Sequence, residues 1–512
     1  MRPVRRTAVI DMGSNSFRLV VYGWEPGRCW QHVDEIREAV RVSAGMSESG
    51  AIKKSRVKRA VQTAVVFASF CDHAGIDEVI PVATSAIRDA SNRDELLAEM
   101  RERAGLDVRV LSTEDETRYG YLAIANTTTM VDGWGIDLGG GSVQLMRIED
   151  RRLRESGSWP LGAVRATEDF LGENGANGKA LKALRKHVAK VVGECDWLPD
   201  GDGGAFAGIG GTIRNLASAA QKRAGHPDTG GVQGFRLTRD ALEELIEELA
   251  EMPPSKRGSV PGIKPDRGDV ILGGAAVLAA IMEAARFEEV EVTEAGLREG
   301  IFFERFLEGR DPPLFDDVRS AAVDNLARRY QDDLTHPQHV LDLSLELFDG
   351  LRMNGLADAV NGSERELLSA ASMLHDIGTA VDYDDHHKHS RYLILHAGLP
   401  GFSPRELELI ALIARYHRKG EPDASELGPL ARKKDDERLL LLSAIIRLAE
   451  QLERSRDQAI KSVGVQRSNG TVTLAPETRG ESAPVAIWSA RRNADLLERA
   501  IGKKVEVAGP DE

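Results

Sequence analysis

Up to about residue 300, apolar residues come in short runs that stop at turns of small residues. The segment Thr7-Ala-Val-Ile-Asp-Met-Gly-Ser-Asn-Ser-Phe-Arg-Leu-Val-Val-Tyr22 predicts a strand, a tight turn and a second strand. Gly135-Ile-Asp-Leu-Gly-Gly-Gly-Ser-Val-Gln-Leu-Met-Arg147 repeats that plan, with Asp137 standing where Asp11 stood. An internal echo of this kind implies two related lobes that face one another, their turns lining the cleft between them. Further strand and helix signals alternate. Val79–Ala86 reads as a strand leading into a helix that carries Arg88, and Val108–Leu111 as a strand before a helix opened by Ser112-Thr-Glu-Asp-Glu116. Ala205–Thr212 and Val290–Gly300 are strands followed by glycine turns. The alternation is that of an α/β fold.

After Arg310-Asp-Pro-Pro-Leu314 the period changes to that of helices, over Pro337–Leu351, Glu364–Leu374, Pro404–Tyr416 and Arg438–Leu452. The last residues change again: a strand at Thr471–Leu474, a helix around Ala494–Ile501 and a strand at Lys504–Val507 predict a small α/β appendage. The expected domains are lobes at 1–124 and 125–309, a helical domain at 310–458 and the appendage at 459–512. The length of 512 residues agrees with several domains.

Composition narrows the function classes. The chain has 81 acidic and 67 basic residues, a formal charge of −14. A field of that sign repels phosphate, so a generic duplex nucleic-acid binder is disfavoured, although a local basic groove is not. Cys29, Cys71 and Cys195 stand far apart, outside any C-x-x-C pattern, which fits a reducing cytoplasm and no disulfide framework. The most apolar stretch, Ile271–Ala285, is too short to cross a bilayer, so no membrane partner is expected.

Candidate chemistry lies in the turns. In Asp11-Met-Gly-Ser-Asn-Ser16, successive backbone N–H groups with hydroxyl and amide side chains suit an anion, which puts Gly13, Ser14, Asn15 and Ser16 among the phosphate-binding candidates. A carboxylate such as Asp11 at the strand end can hold Mg²⁺ through water. Gly139, Gly140, Gly141 and Ser142 form the second cradle; three consecutive glycines cost backbone entropy unless something must approach closely. Gly210, Gly211 and Thr212 supply a third turn. Ile213 breaks a dinucleotide fingerprint there, and Gly178-Lys179 lacks the frame of a P-loop.

Together the two glycine turns, Ala83–Ala90, Ser112–Glu116, Leu161–Arg165, Pro261–Arg267, Leu374–Gly378, His386–Tyr392 and Arg415–Lys419 resemble the exopolyphosphatase/guanosine pentaphosphate phosphohydrolase family. The resemblance spans nearly the whole chain and implies two actin-like lobes with a C-terminal helical domain. It implies Mg²⁺-dependent hydrolysis of the terminal phosphoanhydride of polyphosphate or pppGpp, with ppGpp as a further ligand. In that scheme Glu116 activates water, with Glu114 as second choice, and Arg88 acts on the phosphate. Asp137 is the first metal candidate and Asp11 the second. One position departs from the family: its second turn usually runs Gly-Ser-Thr-Glu, and here it reads Gly141-Ser-Val-Gln144.

The pair His375-Asp376 resembles metal-dependent HD phosphohydrolases, with His339 as first ligand and Glu450 where an aspartate is usual. The basic segment with Arg415, His417, Arg418 and Lys419, together with Arg267, is expected by the same family resemblance to line a polyphosphate channel. A cytoplasmic homodimer is also implied. The rival readings are a regulatory protein that binds ppGpp or polyphosphate without turnover, which Gln144 supports, and an actin-fold kinase, for which no adenosine pocket is identified.

Overall fold

The computed structural model describes residues 4–46, 50–172, 178–198, 204–227, 230–357, 362–468, 470–480 and 482–509. The chain forms two compact units, Met1–Ala224 with Val232–Val318, and Gly225–Gly231 with Arg319–Glu512.

The first unit contains two sheets built to one plan. Strands β1 (Arg5–Met12), β2 (Phe17–Glu25) and β3 (Cys29–Glu38) form an antiparallel meander, and β4 (Glu78–Ala83) and β5 (Arg109–Val110) add parallel strands on the far side of β1. In the second sheet β6 (Gly133–Leu138), β7 (Val143–Glu149) and β8 (Arg152–Trp159) repeat the meander. There β9 (Phe206–Ile209) and β11 (Glu289–Val292) extend it in parallel, and β10 (Phe235–Thr238) closes the edge. This duplicated, actin-like α/β plan agrees with the expected fold class. The strands β3, β8 and β10 carry no apolar run that the sequence pattern would single out; they are held by ladder pairing.

Two helices, Thr113–Ala125 and Leu297–Phe306, pack between the sheets. Their Leu122, Ile124, Ile301 and Phe302 share a core with Val9, Val20 and Val82 of the first sheet and Met146 and Ile209 of the second. The fit is close at one point: a Cβ on Gly300 would stand 2.0 Å from the Tyr119 carbonyl oxygen. The helix Thr113–Ala125 begins where the sequence predicts. Ser112 Oγ accepts from the Asp115 N–H at 3.0 Å and Asp115 Oδ2 accepts from the Ser112 N–H at 3.4 Å, a closed capping box.

The apolar helix Ile271–Ala284 is buried on every side within the second lobe, which explains its composition. Among the described residues no helix is long and apolar enough to cross a membrane.

The second unit is helical, with helices at Thr335–Met353, Glu364–Leu374, His386–Ala397, Pro404–Tyr416 and Asp435–Leu452. A three-stranded sheet of β12 (Ile460–Ser468), β13 (Thr471–Thr478) and β14 (Lys504–Val507) follows. Its Ile460, Leu474 and Val505 share one core with helix residues such as Leu347 and Ile446.

Candidate functional site

The ladders place the two turns in equivalent positions. Met12 pairs with Phe17 and Leu138 with Val143, so residues 13–16 and 139–142 are four-residue connections, each beginning two residues after an aspartate. Asp11 stands across from Arg18, and Asp137 across from Gln144.

The glycines let these connections approach. A Cβ on Gly141 would stand 2.9 Å from Ser85 Oγ and 3.5 Å from Ser14 Oγ. Gly210, at φ +111, brings the start of the helix Gly211–Arg223 against β6; a Cβ there would meet the Leu138 carbonyl oxygen at 2.5 Å.

Between the turns lies a cavity of about 170 Å³. Residues 13–16, 139–142, Gly210 and Gly211 line it, as do Asp11, Glu116 and Asp137. The expected phosphate-binding residue Thr212 does not. It is buried one residue into its helix, with its methyl group toward Gly274, so its side chain belongs to the core.

Four arginines also line the cavity: Arg18, Arg214, Arg267 and Arg298. Arg267, expected from the family resemblance to line a polyphosphate channel, sits at the cleft beside Gly211. Arg18, Arg214 and Arg298 were not singled out by sequence. Each resembles ordinary strand or helix decoration, and only the strand end, Gly296 turn and helix start around Arg298 carried a signal. Arg298 Nη1 donates to Asp11 Oδ2 at 3.2 Å.

Electrostatics set the carboxylates apart. Burial pushes the Glu116 carboxyl up to about 7; the Arg88 guanidinium works against this, and Asp137 and Asp11 add to it. Burial likewise pushes Asp137 up to about 6, with Arg214 opposing and Asp11 assisting. Asp11 is raised by burial against the pull of Arg298 and Arg18. Arg18 is pushed down to about 10, first by burial and then by the charge of Arg298. Glu114, the second choice for a base, is exposed outside the cavity.

Arg88 lies in an adjoining recess bounded by Ser85, Gly141 and Ser142. Its Nη1 donates to Glu116 Oε1 and, at 3.0 Å, to the Leu111 carbonyl oxygen. In this geometry Arg88 holds Glu116 rather than facing the cavity.

The donor set of Asp137, Ser142 Oγ and the Gln144 amide oxygen suits a hard cation such as Mg²⁺. Asp11 suits it less, because Arg298 already occupies one of its oxygens. Gln144 is buried and donates through Nε2 to Ser142 Oγ at 3.1 Å.

The expected channel residues in the helical unit divide. Lys419 is exposed and pairs with Asp385 at 3.1 Å, Arg418 lies over the Tyr383 ring at 5.1 Å, and Arg415 lies over Tyr416 at 5.5 Å. His417 is buried, with Nε2 at 3.1 Å from Nε2 of His386, and so lines no open channel. His375, Asp376 and Glu450 are gathered in the same buried cluster, but the histidine beside them is His336, not the expected His339. His339 is three residues further along its helix and faces Glu453 at 3.4 Å.

The Ppx/GppA phosphatase family profile matches residues 20–308, and the profile of Ppx/GppA phosphatase domain III matches 318–476. Among solved structures, a Ppx/GppA family member from Aquifex aeolicus is 27% identical, with a TM-score of 0.53 over 60% of this chain and 99% of that one. An exopolyphosphatase-like protein is 26% identical, with a TM-score of 0.52 over 58% and 96%. An exopolyphosphatase from Cytophaga hutchinsonii, at 21% identity, 59% and 98% coverage and a TM-score of 0.53, is similar in fold. The two glycine turns, the buried glutamate and the matched profiles lead to one conclusion: this chain belongs to the Ppx/GppA phosphatase family.

Proposed function

We propose that the chain hydrolyses the terminal phosphoanhydride of polyphosphate or pppGpp, with Glu116 as the general base. The observation that carries this reading is a buried carboxyl with a pKa pushed up to about 7 at the edge of a cavity walled by two glycine turns. A base tuned near neutral pH can accept a proton from water and still be ionised often enough to act. The proton of the attacking water passes to a Glu116 carboxylate oxygen, the water oxygen bonds to the terminal phosphorus, and the bridging P–O bond breaks. Orthophosphate and a chain shorter by one phosphate leave.

The cavity is suited to that charge. Four guanidinium groups (Arg18, Arg214, Arg267, Arg298) face three carboxylates (Asp11, Glu116, Asp137), a local positive excess within an acidic protein. Fixed donors of this kind hold a phosphate chain, and those nearest the terminal phosphate stabilise the charge that grows on its oxygens during transfer. Asp137 would hold Mg²⁺, which when bound supplies neutralisation of phosphate charge. Arg88 keeps the Glu116 carboxylate in place.

Gln144 favours a second reading. A neutral amide where the family pattern has a carboxylate weakens cation binding, as a protein that binds polyphosphate or ppGpp without turnover would allow. Incubation with polyphosphate, pppGpp or ATP, with and without Mg²⁺, separates the readings by free phosphate. Mg²⁺-dependent release from the first or second substrate supports hydrolysis. Tight binding without release supports the sensor, and transfer only to an acceptor supports a kinase.

A further inference from the structure

The second unit contains a buried group of side chains that the proposed hydrolysis does not use. His336, His375, Asp376, His386, His417 and Glu450 converge from five segments of the helical unit. Five of the six are buried, and His336 is nearly so.

Three of the histidines have their tautomer fixed by backbone carbonyls. His375 Nδ1 lies 2.6 Å from the Ser372 oxygen, His386 Nδ1 2.8 Å from that of Tyr383, and His417 Nδ1 2.7 Å from that of Ala414. A carbonyl only accepts, so each Nδ1 carries the hydrogen and each neutral ring turns a bare Nε2 lone pair inward. That is the support metal-ligating histidines receive. Nε2 of His386 and Nε2 of His417 are 3.1 Å apart. Two lone pairs at that distance repel unless a cation sits against both.

The carboxylates complete the pattern. Glu450 Oε2 lies 3.1 Å from His336 Nε2 and 3.2 Å from His375 Nε2, and Asp376 Oδ1 lies 3.2 Å from His386 Nε2. Of these atoms, His336 Nε2, His375 Nε2, Asp376 Oδ1 and Glu450 Oε2 make no aligned hydrogen bond, although all four are shielded from water. Buried polar atoms are rarely left so. Donors about 2.1 Å from one ion stand about 3.0–3.4 Å from each other, which is the spacing observed. The atoms aim at shared points, one among His336, His375 and Asp376 and one among Asp376, His386 and His417.

We propose that this cluster is a transition-metal centre, with Asp376 shared between two adjacent ion positions. Four imidazoles with two carboxylates select a first-row divalent ion such as Mn²⁺, Fe²⁺ or Zn²⁺ over Mg²⁺ or Ca²⁺, which prefer all-oxygen sets. Arg456 donates to Asp376 Oδ2 at 2.5 Å and leaves Oδ1 directed inward. Arg456 is half-exposed at its side chain, so it closes the centre from the solvent side.

The test uses the full chain. The protein is stripped with a chelator, dialysed separately against Mn²⁺, Fe²⁺ under nitrogen, or Zn²⁺, desalted, and its metal measured by mass spectrometry. The wild type is expected to retain about one ion per chain or more, and Asp376→Asn and His375→Gln less than about a tenth of that. Glu116→Gln is expected to keep its metal, so failure of the hydrolysis reading and failure of this one are distinguishable. Loss of a ligand can unfold the unit, so a Co²⁺ titration of the stripped wild type gives a second readout, with visible d–d absorption expected. Negligible retention of all three ions by folded wild type, with no Co²⁺ absorption, overturns the proposal.

Discussion

Arg88 and Glu116 form a partly buried ion pair in which the guanidinium is also tied to the Leu111 carbonyl. The arginine thereby limits how far burial raises the acid, whose pKa still reaches about 7. The base works only when ionised, so kcat/KM rises with pH through an acid limb set by Glu116. In Arg88→Met the opposing charge is gone, and the limb moves to higher pH. At pH 7 this variant loses activity that returns partly at pH 9. A pH profile checks this, and an unmoved limb contradicts the role given to Arg88.

Gln144 stands across the ladder from Asp137, buried in the cavity wall. Gln144→Glu replaces the neutral amide oxygen of that donor set with a carboxylate, a second negatively charged ligand beside Asp137 at the position suited to Mg²⁺. The Mg²⁺ concentration for half-maximal phosphate release is expected to fall by roughly tenfold, equivalent to about 1.4 kcal/mol. A titration of activity against Mg²⁺ measures it, and an unchanged midpoint removes Gln144 from the cation site.

Arg18, on β2, and Arg267, at the end of the short helix Pro265–Arg267, both line the cavity. If they hold the phosphate chain rather than the reacting atoms, Arg18→Ala and Arg267→Ala raise KM by about tenfold, while kcat changes little. The same variants flatten the salt dependence of KM, because fewer charges are screened. Equal losses in kcat and kcat/KM would place them at the transition state instead.

The site divides by how local its signals are. The two turns were legible because strand, aspartate and small residues lie within a few positions of one another, and Asp11 and Asp137 repeat. The arginines were not, because Arg18, Arg214 and Arg298 come from a strand and two helix starts far apart in sequence and meet only on folding. Thr212 was misread since glycine turns announce where the backbone bends, not which way the next side chain points. The sequence names His339 and misses His336 for a similar reason: both lie on one helix three residues apart, and only the packed neighbours decide which faces His375. The duplicated α/β plan was legible from alternation, whereas β3, β8 and β10 depend on pairing that no apolar run announces.

Gly300 supports the packing of both lobes. A methyl group there would collide with the Tyr119 carbonyl at the contact between the two central helices. Gly300→Ala is expected to destabilise the first unit by about 2–3 kcal/mol through forced displacement. Denaturant unfolding followed by a probe in that unit tests this, and unchanged stability would mean that the helices separate without cost.

The central claim is that Glu116 activates the attacking water. The direct measurement is phosphate release from polyphosphate and pppGpp by wild type and Glu116→Gln, with substrate binding measured on the same preparations. The account predicts that kcat falls roughly 10²–10⁴-fold in the variant while binding is retained. A Glu116→Gln protein that hydrolyses either substrate at the wild-type rate contradicts it.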